Sequence, residues 1–130
     1  MQMNTNEVEN KLLELSNDIN EEMKKLGQLK ADLIDLKNSE DNRRAVYYKE
    51  ATDAVDSEGK PTYKSEAAKD KHVHTMMLND GVTVKKKDAE RQIAEKEAIV
   101  NGLKYKFRAT EQIAQMVNAQ MGLANQVGGN

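Results

Sequence analysis

Apolar residues recur at alternating spacings of three and four positions along the first third of the chain. Two sets of heptad-spaced positions carry them, one with Leu12, Ile19, Leu26 and Leu33 and the other with Leu15, Glu22, Leu29 and Leu36. This spacing keeps one face of a helix apolar for roughly four heptads, with one polar interruption at Glu22. The pattern predicts a long helix over residues 5–51 that pairs with another helix.

The heptad pattern changes after Leu36. The next positions in the same register are Glu40, Arg43, Tyr47 and Glu50, none of which is aliphatic. We therefore expect the helix to continue while a different face of it meets its partner.

Turn-forming residues separate this helix from the next. Residues 52–61 include a glycine, which permits positive φ, and the chain's single proline, which cannot continue a helix. These residues predict a loop, followed by a short second helix over 62–79. Either Thr62 or Ser65 can cap its start.

A third helix is predicted over residues 84–124, after a turn signal at Asn79-Asp80-Gly81. Its apolar seam consists of Ala89, Ile93, Val100, Leu103, Phe107, Ala114, Val117 and Met121. A second apolar set lies beside the seam and contains Ile99, Gly102, Ala109, Ile113 and Met116. We expect the broad apolar face to pack on the first helix or on another copy of the chain, and residues 125–130 to be disordered.

These elements predict an all-α fold in a single domain over residues 1–124. We expect an elongated helical hairpin or coiled coil, with two long helices and a short middle helix, that assembles as a homo-oligomer. Aromatic residues are only 4% of the chain and charged residues 32%, which leaves too little bulky apolar material for a thick core. The residues expected to mediate oligomerisation are Leu12, Leu15, Ile19, Leu26, Leu29, Leu33, Leu36, Ile93, Val100, Leu103, Phe107 and Val117.

The net charge of −2 conceals an uneven distribution. Residues 1–58 contain 8 Lys or Arg against 14 Asp or Glu, whereas residues 85–108 contain 8 against 4. The second stretch creates a local positive field that an anion such as nucleic acid would experience, although it is modest beside that of a dedicated DNA-binding domain.

The residue types argue against a reaction centre. There is no cysteine, and His72 and His74 lie two positions apart on a helix, where they point about 200° from each other and cannot chelate one ion together. The acidic residues alternate with seam residues on a wet surface, and no glycine-rich phosphate loop or nucleophile elbow is present. We therefore expect no enzymatic activity, metal or cofactor.

Two features bear on where the protein resides. The absence of cysteine is typical of a reducing compartment. The N-terminus has no basic stretch followed by an apolar run, and no segment approaches the ~20 apolar residues needed to cross a bilayer. We expect a cytoplasmic protein without a membrane partner.

The first candidate nucleic-acid site lies where the heptads end. Its residues are Arg43, Arg44, Tyr47, Tyr48 and Lys49. Cations that neutralise phosphates, together with aromatic rings on which bases stack, are what single-stranded nucleic acid requires. Alternatively, Tyr47 packs on a neighbouring helix while the basic groups pair with Glu40, Asp41 and Glu50. The spacing favours neither interpretation.

A second basic cluster lies at the start of the third helix. It consists of Lys85, Lys86, Lys87 and Arg91. Cations at this end oppose the helix dipole, so local helix stability does not explain them, whereas an external anion would. A cluster that only promotes solubility is the alternative.

Four sequence features follow one another from residue 42 onward. They are the stretch Arg43-Arg44-Ala45-Val46-Tyr47-Tyr48, a hydrophilic loop over 51–60, a short helix ending near Leu78-Asn79-Asp80, and a long helix with Lys106-Phe107-Arg108, Ile113 and Met121-Gly122. Over residues 42–122 the chain thereby resembles the UvsY family of phage recombination mediators. In that family the DNA-contacting stretch resembles Lys-x-Arg-x-x-Tyr-Tyr. Arg44, Tyr47 and Tyr48 match it, while Asn42 stands at the lysine position.

The resemblance implies a small helical protein that binds single-stranded DNA non-specifically and assists a RecA-like recombinase. Its implied partners are single-stranded DNA, the recombinase, a single-strand binding protein and further copies of itself, in the host cytoplasm if the chain is phage-encoded. The alternative is a non-enzymatic coiled-coil structural or adaptor protein that binds a phage or host protein without nucleic acid.

Overall fold

The computed structural model describes the backbone of residues 4–128 and the side chains of residues 4–122. Three α-helices follow one another: α1 over Thr5–Asp53, α2 over Glu66–Asp80 and α3 over Val82–Gly128. Within the described residues no strand forms, apart from one isolated antiparallel bridge between Val55 and Pro61. The prediction of an all-α fold with two long helices and a short middle one is confirmed.

The start of α2 shows which candidate residue caps the helix. Ser65 has an extended backbone, with φ −137° and ψ 159°, and its Oγ accepts a hydrogen bond from the backbone N–H of Ala68 at 3.1 Å. This bond satisfies one of the N–H groups that the first turn of a helix leaves without a partner. The helix therefore begins at Glu66, four residues later than the predicted start at Thr62.

The loop before α2 is a compact turn held by its own hydrogen bonds. The Oδ1 atom of Asp56 accepts from the backbone N–H groups of Glu58 and Lys60, at 2.9 and 3.0 Å. Gly59 has a backbone φ of 79°, a conformation that residues with a Cβ atom rarely adopt. Turn residues of this kind give the segment 54–65 a defined path between α1 and α2.

A single residue separates α2 from α3. Gly81 has φ 84° and ends α2 in the left-handed conformation, and its carbonyl accepts from the backbone N–H of Lys85 at 3.0 Å. Because one glycine serves as the end of α2 and the start of α3, α3 begins at Val82 rather than at residue 84.

The C-terminal end of α3 differs from the expectation. Residues 125–128 were expected to be disordered but are helical, since α3 continues to Gly128. Residues 129–130 lie outside the described part of the chain.

The chain divides into two compact units. Unit 1 comprises Met1–Gly27 and Ala94–Asn130, and unit 2 comprises Gln28–Ile93. Each unit therefore combines part of α1 with part of α3, and unit 2 also contains the loop and α2.

In unit 1, α1 and α3 run antiparallel. Thr5 Oγ1 donates to Met121 Sδ at 3.2 Å, while Lys96 Nζ lies 2.7 Å from Glu22 Oε2. Leu15 and Val100 of the predicted seams are buried, and so is Val8, which lies one heptad before Leu15. Glu22, the polar interruption of the first heptad pattern, thus contacts a cation of the opposite helix.

In unit 2, the heptad series that contains Leu33 continues to face inward on α1 beyond Leu36. Glu40 is only 4% exposed and Tyr47 is half-buried, and both continue the series of Leu33 at intervals of seven. The prediction that another face of α1 takes over is wrong at these positions, since Glu40 and Tyr47 find polar partners on the helices they face. The second heptad series, which contains Leu29 and Leu36, does change. Ala51 is buried where that series would place Glu50.

Candidate nucleic-acid interface

The first basic stretch lies inside α1, and its helical spacing sorts its residues into two rows. Arg43 and Tyr47 form one row, and Arg44 and Tyr48 the other, because side chains four positions apart lie on the same side of a helix. Each row meets a different set of acidic residues in unit 2.

Arg43 and Tyr47 converge on one carboxylate at the end of α2. Arg43 Nη1 lies 2.5 Å from Asp80 Oδ2, and the Tyr47 hydroxyl donates to the same oxygen. These contacts, the Tyr47 hydrogen bond above all, hold the pKa of Asp80 below its usual value. Conversely, the hydrogen bond to the Asp80 carboxylate raises the pKa of Tyr47. The Asp80 side chain is 5% exposed, whereas that of Arg43 is 51% exposed.

Arg44 meets a residue of the second basic cluster at Glu40. Lys86 Nζ lies 3.0 Å and Arg44 Nη2 3.4 Å from the same Glu40 Oε1 atom. Thr83 Oγ1 donates to Glu40 Oε2 at 3.3 Å. The hydrogen bond from Lys86, followed by the nearby positive charges, lowers the pKa of Glu40 despite its burial. The two basic clusters, far apart in sequence, therefore meet in unit 2 around one carboxylate.

Tyr48 contacts the beginning of α2. Its hydroxyl donates to Glu66 Oε2 at 2.7 Å, and Lys69 Nζ lies 5.7 Å from the centre of its ring. The ring remains partly exposed, and the hydrogen bond fixes its orientation.

The remaining candidate cations are placed differently. Lys49, Lys85 and Lys87 are exposed. Arg91, which was grouped with the second cluster, lies 2.6 Å from Asp88 Oδ1 on its own helix. The structure therefore brings Arg44 and Lys86 together but ties Arg91 to a neighbour one turn away.

The intramolecular alternative weighed from the sequence is realised with partly different partners. Glu40 does pair with Arg44, but the partner of Arg43 and Tyr47 is Asp80, rather than Asp41 or Glu50. Asp80 was regarded from the sequence only as part of a turn signal. No local spacing points to its contact with α1, since 37 residues separate it from Arg43.

The charge of unit 2 is balanced as a whole. Residues 28–93 contain 13 Lys or Arg and 13 Asp or Glu. The positive stretches of α1 and α3 are therefore offset by acidic residues of the same unit, and any attraction for an anion is a property of local surface rather than of net charge.

The two histidines are separated by the helix on which they lie. His72 Nδ1 is 2.9 Å from the Tyr63 hydroxyl, and the two rings are 4.7 Å apart, whereas His74 is exposed. Across the described residues, no three acidic or histidine side chains group together as a metal would require. None of the described helices carries an apolar stretch long enough to cross a bilayer.

The predicted oligomerisation residues lie on the inward faces of α1 and α3. Leu15, Ile93 and Val100 are buried, and the other nine residues of the set are half-buried. In contrast, part of α3 in unit 1 presents an exposed apolar surface, which we call the outer face. It consists of Ile99, Gly102, Tyr105, Ala109, Ile113 and Met116.

The chain was compared with models of protein families, with curated proteins and with solved structures. None of the three comparisons finds a match.

Proposed function

We propose that this protein is a phage-type recombination mediator that binds single-stranded DNA non-specifically through unit 2 and assists a RecA-like recombinase. The observation that carries the proposal is the meeting of Arg44 and Lys86, one from each basic cluster, at Glu40 Oε1. Lys85 and Lys87 are exposed on either side of Lys86. Arg44 of α1 and Lys86 of α3 thus border one region of unit 2.

The arginines retain the capacity to bind phosphate while paired. A guanidinium group carries five N–H donors, and the ion pairs with Asp80 and Glu40 each use one terminal nitrogen, of Arg43 and Arg44 respectively. Both side chains are about half exposed, at 51% and 54%. Their remaining donors can contact the phosphates of a bound strand.

Tyr48 supports the proposal through its ring rather than its hydroxyl. Bases stack on the face of an aromatic ring, so the hydrogen bond to Glu66 does not compete with stacking. Because that bond holds the ring in place, less side-chain entropy is lost when a base binds.

The proposal predicts that Lys85→Ala with Lys87→Ala weakens binding of a labelled oligonucleotide, measured by fluorescence anisotropy at low salt. Both lysines are exposed, so helix content should not change. If two phosphate contacts are lost, the slope of log K against log salt becomes shallower by about 1.4, at roughly 0.7 per phosphate of a single strand.

A matched control is available on the same helix in unit 1. Lys104→Ala with Lys106→Ala removes two exposed lysines at the same spacing. It should leave the salt slope unchanged. Absence of binding by the unaltered protein at tens of micromolar would contradict the proposed function, as would equal losses in the two double variants.

A structural or adaptor function, without nucleic acid, is the second candidate. The observation that favours it is the outer face of α3, where Tyr105 is 75% and Met116 62% exposed. Contiguous exposed apolar residues commonly mark a surface that another protein covers. The homo-oligomer expected from the sequence would also require such a surface, because the predicted seams face inward within the units.

A further inference from the structure

The two arginines, the two tyrosines and Lys86 of the proposed DNA-binding surface each contact a carboxylate of the protein itself. Asp80 contacts Arg43 and Tyr47, Glu40 contacts Arg44 and Lys86, and Glu66 contacts Tyr48. A carboxylate oxygen thus lies against the donor groups that a phosphate oxygen would use.

The Asp80 contact shows this correspondence most clearly. A planar guanidinium group and a phenolic hydroxyl, from Arg43 and Tyr47, converge on the single oxygen Oδ2. Convergent donors of this kind also bind one oxygen of a phosphate, because both anions accept charge-assisted hydrogen bonds from the same groups. Asp80 is ionised at neutral pH, because its pKa lies below the already acidic value of an ordinary aspartate.

Burial differs sharply between the partners of this pair. The Asp80 side chain is 5% exposed and that of Arg43 51% exposed. The guanidinium of Arg43 is therefore accessible to solvent, and with it to a nucleic-acid strand, whereas the carboxylate of Asp80 is not. A phosphate can approach Arg43 before the contact with Asp80 is broken.

We infer that Asp80 is an internal competitor of nucleic-acid phosphate for Arg43 and Tyr47, and that this competition limits the affinity of the surface. The inference rests on the proposed function and concerns its regulation. When a phosphate replaces the carboxylate, Arg43 exchanges one ion pair for another, so the net gain from this contact is small. Binding is therefore weaker than the number of cations alone would give.

The substitution Asp80→Asn tests the competition directly. It preserves the shape of the side chain and its carbonyl oxygen but removes the charge that holds Arg43. We expect the Kd for an oligonucleotide at low salt to fall on the order of fivefold. The salt slope should change little, because Arg43 pairs with the same phosphate in both proteins once the strand is bound.

The control must separate competition from a general change in charge. Asp41→Asn removes one negative charge from α1 two residues before Arg43, where Asp41 is exposed. It should tighten binding only slightly. If Asp80→Asn binds no more tightly than Asp41→Asn while the unaltered protein binds, the inference is overturned and the proposed function stands. If none of the three proteins binds, both fail.

A measurement on the unaltered protein keeps the test decisive if Asp80→Asn loses helix content. The ¹³Cγ resonance of Asp80 reports on the ion pair with Arg43, and a saturating oligonucleotide should shift it as the carboxylate loses that partner. A resonance that stays in place at saturation would overturn the inference.

Discussion

At the scale of single residues, charged side chains occupy inward heptad positions and find partners on the opposite helix. Lys86 lies 3.0 Å from Glu40 in unit 2, and Lys96 lies 2.7 Å from Glu22 in unit 1. Leaving one member of such a pair unsatisfied costs more than the pair itself contributes. These contacts therefore favour one alignment of α1 on α3 within each unit.

Glu40 predicts a specific dependence of stability on pH. Its pKa is lowered in the folded state, chiefly by the hydrogen bond from Lys86, so its contribution is complete above the usual value of 4.5 and is lost as pH falls through the folded pKa. Glu40→Gln should reduce the free energy of unfolding by roughly 1–3 kcal/mol at pH 7. The difference in Tm between the two proteins should shrink as the pH falls below about 4.5.

Glu50→Gln is the matched control, since Glu50 is an exposed acid on the same helix. Its Tm should remain close to that of the unaltered protein throughout. A Glu40→Gln protein whose Tm stays equally far below that of the unaltered protein at pH 7 and pH 3 would contradict the account of Glu40.

The pairs themselves could not be predicted from the sequence. The interruption at Glu22 and the heptad position of Glu40 were both visible, but their partners lie 74 and 46 residues away. Identifying them requires the alignment of two helices, and the apolar seams leave that alignment open because a shift of one heptad would bury similar side chains.

At the scale of elements, caps and turns decide where the helices begin and end. The helices themselves follow from local periodicity, which is why the all-α fold and its two turns could be predicted. Their limits depend on individual hydrogen bonds, and the sequence offered both Thr62 and Ser65 as caps for α2. The backbone of Ser65, together with the bond from Ala68 N–H, identifies the cap.

Ser65→Ala should therefore destabilise the protein by about 1 kcal/mol, since it removes the acceptor for an N–H group of the first turn. The measurement is the free energy of unfolding in urea followed by circular dichroism. Thr62→Ala is the control, because Thr62 contributes only its backbone N–H to the carbonyl of Ala54. Equal losses of unfolding free energy in the two variants would contradict the assignment of Ser65 as the N-cap of α2.

At the scale of the whole molecule, the apolar residues of α3 serve two purposes. The seam faces inward, whereas the outer face is exposed and carries no charge among its six residues. The sequence showed the seam and the second apolar set side by side on α3, yet it did not show which of the two would remain exposed to solvent. That choice depends on which residues of α3 meet α1 within unit 1, so it appears only once the two helices are placed together.

The outer face makes the expected self-association testable. Ile113→Glu places a charge on this face, and it should lower the mass measured by light scattering while leaving helix content unchanged, because Ile113 is exposed. Leu13→Glu, at an exposed position of α1 in unit 1, is the control and should leave the mass unchanged.

Repeating the measurement with an oligonucleotide separates the two candidate functions, since a mediator would gain mass on binding DNA and an adaptor would not. An Ile113→Glu protein with the mass of the unaltered protein would exclude the outer face as the self-association surface.

The turn between α1 and α2 is held by its own hydrogen bonds, so it offers a site for a label that reports on DNA binding and assembly. Asp56 holds Glu58 through the backbone N–H, so the side chain of Glu58 can be replaced without breaking the turn. Because the chain has no cysteine, Glu58→Cys would supply one unique thiol for a fluorophore or spin label. A probe attached there would report on strand binding and assembly in solution without touching the helices under study.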